Sequence, residues 1–154
     1  MYEHLTAAEM GYLAGLIDGE GCISIMSQGS KQRKSRRFAL RVAIKMTHLG
    51  VLKYVQTLIG GSIQSEIESQ NIRWKKQHRW IIARRSEVKA LLTALAPYLI
   101  VKRGQAELAL RFINLDERRC PSVRAEMHSR MLRLNQRGPV NETAFSPAPV
   151  LTLQ

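Results

Sequence analysis

The chain has 154 residues, enough for one domain with a real core, and 45% of them are hydrophobic. Lys and Arg total 24 against 12 Asp and Glu, a net charge of +12 with a pI near 10.4, which points to a polyanion partner, nucleic acid above all. No run approaches the ~20 apolar residues of a membrane span, the N-terminal MYEHLTAAEM lacks the two regions of a signal peptide, and the two cysteines, Cys22 and Cys120, cannot build a disulfide framework and have no metal-ligand spacing, so the expected setting is intracellular and reducing.

The first predicted element is a helix. Thr6 with Glu9 three residues on is a capping-box pattern, and an apolar run follows it to Glu20. Gly11, Gly15 and Gly19 recur every four residues along this run, so one face of the helix is bare. Each Gly weakens a helix by about 1 kcal/mol relative to Ala. The usual compensation is the close approach of another backbone.

Residues 22–28 alternate as a first strand, with Ile23 and Ile25 toward the core and Cys22, Ser24, Met26 and Gln28 on the face of Glu20. Residues 29–36 form a polar hairpin tip. From Lys31 through Arg33, Lys34, Arg36 and Arg37 there are five positive charges in seven residues, suited to phosphate contact. Residues 37–45 alternate cleanly, with Phe38, Leu40, Val42 and Ile44 inward and Arg37, Ala39, Arg41, Ala43 and Lys45 outward. A helix starting at Thr47 runs to Ile59 and stops at Gly60-Gly61.

A second hairpin comes next. In residues 62–68, Ile63 and Ile67 point inward while Ser62, Gln64, Glu66 and Glu68 point outward. In residues 76–83, Trp80 and Ile82 point in and Gln77, Arg79 and Ile81 point out. Arg73 and Lys75 lie at its tip. Ser86-Glu87 reads as a helix start, and that helix breaks before Pro97. Residues 104–115 and 122–136 are further helices, the last with Val123, Met127, Met131 and Leu134 as its apolar stripe. Residues 1–137 make one domain. Residues 138–154, with three of the five prolines and only Glu142 charged, read as a loose tail. The element order predicts an α+β fold, an antiparallel four-stranded curved sheet with helices on one face and a polar, basic opposite face.

Leu13-Ala14-Gly15-Leu16-Ile17-Asp18-Gly19-Glu20-Gly21 resembles the signature of the LAGLIDADG homing endonucleases, with Gly-Glu-Gly in place of Ala-Asp-Gly. Pro97-Tyr98-Leu99-Ile100-Val101-Lys102-Arg103 followed by Gln105-Ala106 is similar to a second segment of the single-motif members. No second copy of the motif occurs in the chain.

The resemblance implies an intron-encoded, site-specific endonuclease of a prokaryotic cytoplasm or nucleoid, or of an organelle. It would make a staggered double-strand break in a long, roughly palindromic DNA site. One motif per chain implies a homodimer joined through Gly11, Leu13, Gly15 and Gly19. Glu20 and the Gly19 carbonyl are the implied ligands of Mg²⁺, for which Mn²⁺ or Ca²⁺ can substitute in binding. Lys102 matches the basic residue near the scissile phosphate, and Lys45 a water-positioning residue. Asp18, the first acid of the motif, is implied to be structural.

Base and backbone contacts are expected from the outward strand positions Ser24, Met26, Gln28, Arg37, Arg41, Gln64, Glu66, Gln77 and Arg79, and from Lys31, Arg33, Lys34, Arg36, Arg73 and Lys75 at the tips. Neither a membrane nor a small-molecule cofactor is expected. The alternative is a non-cleaving relative, an RNA-binding splicing maturase or a DNA-binding regulator. A ribosomal or packaging protein would need neither the glycine stripe nor Glu20.

Overall fold

The structure, a computed structural model, describes residues 2–28, 37–65, 76–115 and 120–136. Among these residues the elements run α1 (Ala7–Glu20), β1 (Gly21–Gln28), β2 (Arg37–Met46), α2 (Leu49–Ile59), β3 (Ser62–Ser65), β4 (His78–Ile82), α3 (Arg85–Leu95), α4 (Arg103–Asn114) and α5 (Pro121–Asn135). The strands form one antiparallel sheet in the order β1-β2-β4-β3, the α+β architecture expected from the sequence.

The capping box of α1 forms as its residues predict. The Glu9 N–H donates to the Thr6 Oγ1 at 3.2 Å, and the Thr6 N–H donates to the Glu9 carboxylate at 2.7 Å. That backbone bond, and after it the Thr6 hydroxyl, hold the Glu9 carboxyl below its ordinary value. The helix ends where Gly21 turns into β1. A Cβ at this position would lie 2.6 Å from the Ile17 carbonyl oxygen, so the tight exit requires glycine. At the end of α2, Gly60 and Gly61 take φ of 74° and 87°, and the Trp80 Nε1 donates to the Gly60 carbonyl at 2.7 Å.

Strand alternation fills the core from one side of the sheet. Ile23, Ile25, Leu40, Val42, Ile44, Trp80 and Ile82 are buried there against Leu13 and Ile17 of α1, Leu52 and Val55 of α2, and the apolar faces of α3 and α4. Burying each such side chain is worth about 1.5–3 kcal/mol.

Several local expectations are corrected. α2 starts at Leu49, not at Thr47, with His48 as its cap: the His48 Nδ1 accepts the Val51 N–H at 3.2 Å and does the work of a Ser or Thr oxygen. α3 starts at Arg85, ahead of Ser86, with Arg84 in the cap position and paired to Glu87 at 3.0 Å. Arg85 donates to the Ile113 and Leu115 carbonyls at the end of α4, a tertiary tie that no local propensity contains. β4 is shorter than residues 76–83, and positions 66–68 of the predicted β3 lie outside the described residues.

The apolar stripe of α5 is also different. Val123 and Leu134 are exposed, while Arg124 is 4% exposed, its guanidinium 4.0 Å above the Phe112 ring and its Nη2 donating to the Phe38 carbonyl at 3.3 Å. Asn135 donates to the Ile23 carbonyl at 2.9 Å, so α5 also serves a backbone acceptor of the edge strand β1.

Candidate functional site

The glycine side of α1 is open. Gly11, Gly15 and Gly19 are exposed, and a Cβ at any of them would meet nothing within 4 Å. No neighbour among the described residues therefore demands these glycines. Tyr12, on the same side, stands edge-on to Tyr54 of α2 with ring centroids 6.0 Å apart. Leu13 does not belong to this face. It is 0% exposed and packs in the core, because two residues beyond Gly11 the helix has turned by more than half a revolution.

The two acids of the motif, two residues apart, are treated oppositely. The Asp18 carboxylate accepts the backbone N–H groups of Ile100 at 2.8 Å, Val101 at 3.2 Å and Lys102 at 2.8 Å. Lys102 is the cap residue of α4, so Asp18 joins the end of α1 to the start of α4 as a capping acid borrowed from elsewhere in the chain. The Lys102 Nζ donates to the Asp18 backbone carbonyl. This bond brings the Lys102 amine to the same end of α1 as Glu20.

Glu20 is exposed, and among the described residues no hydrogen bond or ion pair engages it. It lies at the carbonyl end of α1, the negative pole of the helix, where no basic residue occupies the last turn. An anion there is unfavourable by about 0.3–1 kcal/mol. Of the last carbonyls of the helix, that of Ile17 accepts the Gly21 N–H and that of Asp18 the Lys102 amine. An exposed carboxylate at a negative pole suits a hard cation. Among the described residues no three His, Cys, Asp or Glu side chains cluster as a ready-made metal site. Among the described residues, Glu20 is the one unengaged carboxylate of the motif at this end of α1.

The outer face of the sheet continues from Glu20. Gly21 pairs with Ile44, so the next residue of β2, Lys45, lies at the level of Glu20. Lys45 pairs with Arg79 of β4, and Arg79 with Gln64 of β3. Ser24 pairs with Arg41, Met26 with Ala39, and Gln28 with Arg37. The Arg41 Nε is buried and has no hydrogen-bond partner among the described residues. An unmet donor of this kind costs about 1–3 kcal/mol. Gln77 is exposed just before β4. The candidates Lys31, Arg33, Lys34, Arg36, Glu66, Arg73 and Lys75 lie outside the described residues.

Sequence reasoning assigned no role to the apolar member of this face, Ile81, although the alternation of β4 already turned it outward. It also did not foresee the Asp18 tie to residues 100–102. The only local signal for that tie was an acid placed at the unfavourable end of a helix.

A basic, open sheet beside a glycine-faced helix that ends in an unengaged carboxylate defines a polyanion-binding scaffold with one acid at its focus. The family model described as LAGLIDADG endonuclease matches residues 13–106. The chain belongs to this family. No match is found among curated proteins.

Among solved structures, the homing endonuclease I-CvuI in complex with its target superposes with a TM-score of 0.69 at 22% identity, over 85% of this chain and 83% of its own. The archaeal intron-encoded homing endonuclease I-Vdi141I complexed with DNA gives 0.70 at 17% identity, over 85% and 86%. The homing endonuclease I-TnaI gives 0.63 at 17%, over 81% and 94%. At these identities the likeness shows a shared fold.

Proposed function

We propose that the chain is a site-specific, divalent-metal-dependent endonuclease that binds a long, roughly palindromic double-stranded DNA site as a homodimer. It hydrolyses one phosphodiester in each strand and leaves 3′ overhangs. The observation that carries the reading is Glu20, an exposed and unengaged carboxylate at the negative pole of a helix whose glycine face is open. The family membership and the complexes of I-CvuI and I-Vdi141I with DNA support it.

In this reading two copies pack their α1 helices through Gly11, Gly15 and Gly19. Each delivers its Glu20 to the middle of the complex, one per DNA strand. Glu20 and the Gly19 carbonyl would hold Mg²⁺ together with phosphate oxygens and water. Bound there, the ion supplies Lewis-acid stabilisation of the phosphoryl and leaving oxygens and a more acidic water.

The chain supplies the rest. Asp18 holds the start of α4 against α1 and so sets where the Lys102 amine stands. Lys102 places positive charge beside the reacting phosphate. Lys45, level with Glu20 on β2, orients water. Arg37, Arg41 and Arg79, with Ser24, Met26, Gln28, Gln64 and Gln77, face the major groove, where a two-stranded ribbon fits.

The test is Glu20→Gln. Cleavage with Mg²⁺ is expected to fall by at least about 10³-fold, several kcal/mol of transition-state stabilisation, while the affinity for the target changes little. A variant that still cuts would remove Glu20 from the metal site. A wild-type chain that binds but never cuts would make it a non-cleaving relative on the same scaffold.

A further inference from the structure

On the outer face of the sheet the residues fall into rows set by register. Lys45, Arg79 and Gln64 form the row level with Glu20. Two residues further along β2, Cys22 pairs with Ala43, Ala43 with Ile81, and Ile81 with Ser62. The row beyond holds Arg41 with Ser24. One row in the middle of a cationic face is thus small or apolar.

Ile81 is the only large side chain in that row. Its neighbours Trp80 and Ile82 are 0% and 2% exposed in the core, so Ile81 faces the other way, and it takes no part in the core cluster. It is half-buried, with Ala43 on one side and Ser62 on the other. Directly opposite residues have Cβ atoms about 4.5–5.5 Å apart. Two small flanking residues therefore leave the isoleucine standing above the surface between them. A lone exposed apolar residue needs no explanation. An isoleucine raised between two cationic rows on the face turned to DNA is a different situation, because its surroundings bring it against a nucleic acid.

We infer that Ile81, flanked by Ala43 and Ser62, reads the 5-methyl group of a thymine in each half of the DNA site, an inference that rests on the double-stranded DNA reading above. The methyl group is the apolar feature that the major groove presents, and apolar side chains contact it. Rows along a strand are about 7 Å apart. That is about two base-pair steps at 3.4 Å per step. The thymine therefore lies between a base read by Arg79 and one read by Arg41.

The experiment first selects the preferred site of the full-length chain from a randomised double-stranded DNA library. Each thymine of one half-site is then replaced by deoxyuridine, which removes the methyl group alone, and binding is measured for the wild type, Ile81→Ala and Ile81→Thr. The Thr variant keeps the β-branch that strands favour. The wild type is expected to lose about fourfold in affinity at one thymine of the half-site, the worth of one buried methyl group. Ile81→Ala, whose side chain stops short of the groove, is expected to bind thymine and deoxyuridine equally at that position; Ile81→Thr, which keeps one methyl, is expected to retain part of the difference; both are expected to keep the wild-type preferences elsewhere. If no thymine shows a methyl effect, or the effect persists undiminished in Ile81→Ala, the inference is overturned while DNA binding stands. If no sequence is selected at all, the DNA reading fails and the inference goes with it.

Discussion

The two sides of α1 carry different loads. On the inner side Leu13, Ala14 and Ile17 are at most 1% exposed and hold the helix in the core. On the outer side Gly11, Gly15 and Gly19 leave bare backbone with open space above it. The sheet repeats the contrast. Its inner face is filled by Ile23, Val42, Ile44, Trp80 and Ile82, and its outer face presents Lys45, Arg79, Arg41 and Arg37. Stability is therefore concentrated on one side of each element. Residues on the other side are released from packing, which is the face the proposed function uses.

Gly15→Leu tests the outer side most severely. Nothing among the described residues obstructs a side chain there, and leaving glycine raises helix propensity by about 1 kcal/mol. The melting temperature of the subunit should hold or rise. Self-association, measured by sedimentation, should weaken at least about 100-fold, roughly 2.7 kcal/mol. An unchanged dimer would break the contrast, since the bare face would then have no partner.

Asp18→Asn is the matching test of the tied side. An amide oxygen replaces a carboxylate that accepts three backbone N–H groups. Bonds to a charged group are worth more than neutral ones, so unfolding stability should drop by about 2 kcal/mol. Glu20→Gln, two residues on, should leave stability almost unchanged. Equal losses in denaturant melts would erase the distinction between the two acids.

A smaller effect belongs to the start of the same helix. The Glu9 carboxyl is held below its ordinary value of 4.5 by the Thr6 backbone N–H and hydroxyl. A lowered native value means stability that is present above pH 4.5 and lost as the pH falls through the native value. Glu9→Gln should flatten that part of the acid-unfolding curve, and an unaltered curve would separate the capping box from acid stability.

Much of this could be read from the residues in order. Thr6 and Glu9 announced the start of α1, Pro97 the end of α3, and the alternation of residues 37–45 gave β2 its inner and outer faces. Each signal acts within a turn of helix or a few strand positions, so the chain carries it locally. The helix starts that failed had two causes: α2 is capped within one turn, but by the ring nitrogen of His48 in place of a hydroxyl, and α3 depends on Arg85 reaching the distant end of α4. On α5 a hydrophobic tally favoured Val123 and Leu134, whereas the core took Arg124, which lays its guanidinium on Phe112 and bonds the Phe38 carbonyl.

By itself the sequence determined the family, the order of strands and helices, the basic outer face and the bare stripe of α1, because motif, period and charge survive without knowledge of distant neighbours. Only the tertiary structure decided that Leu13 lies in the core and that Asp18 caps the start of α4 with Lys102 beside it. It alone set Ile81 between Ala43 and Ser62. These placements join residues far apart in sequence or turn on which side of a packed element is covered. They are settled by packing and register, which no stretch of the chain specifies alone.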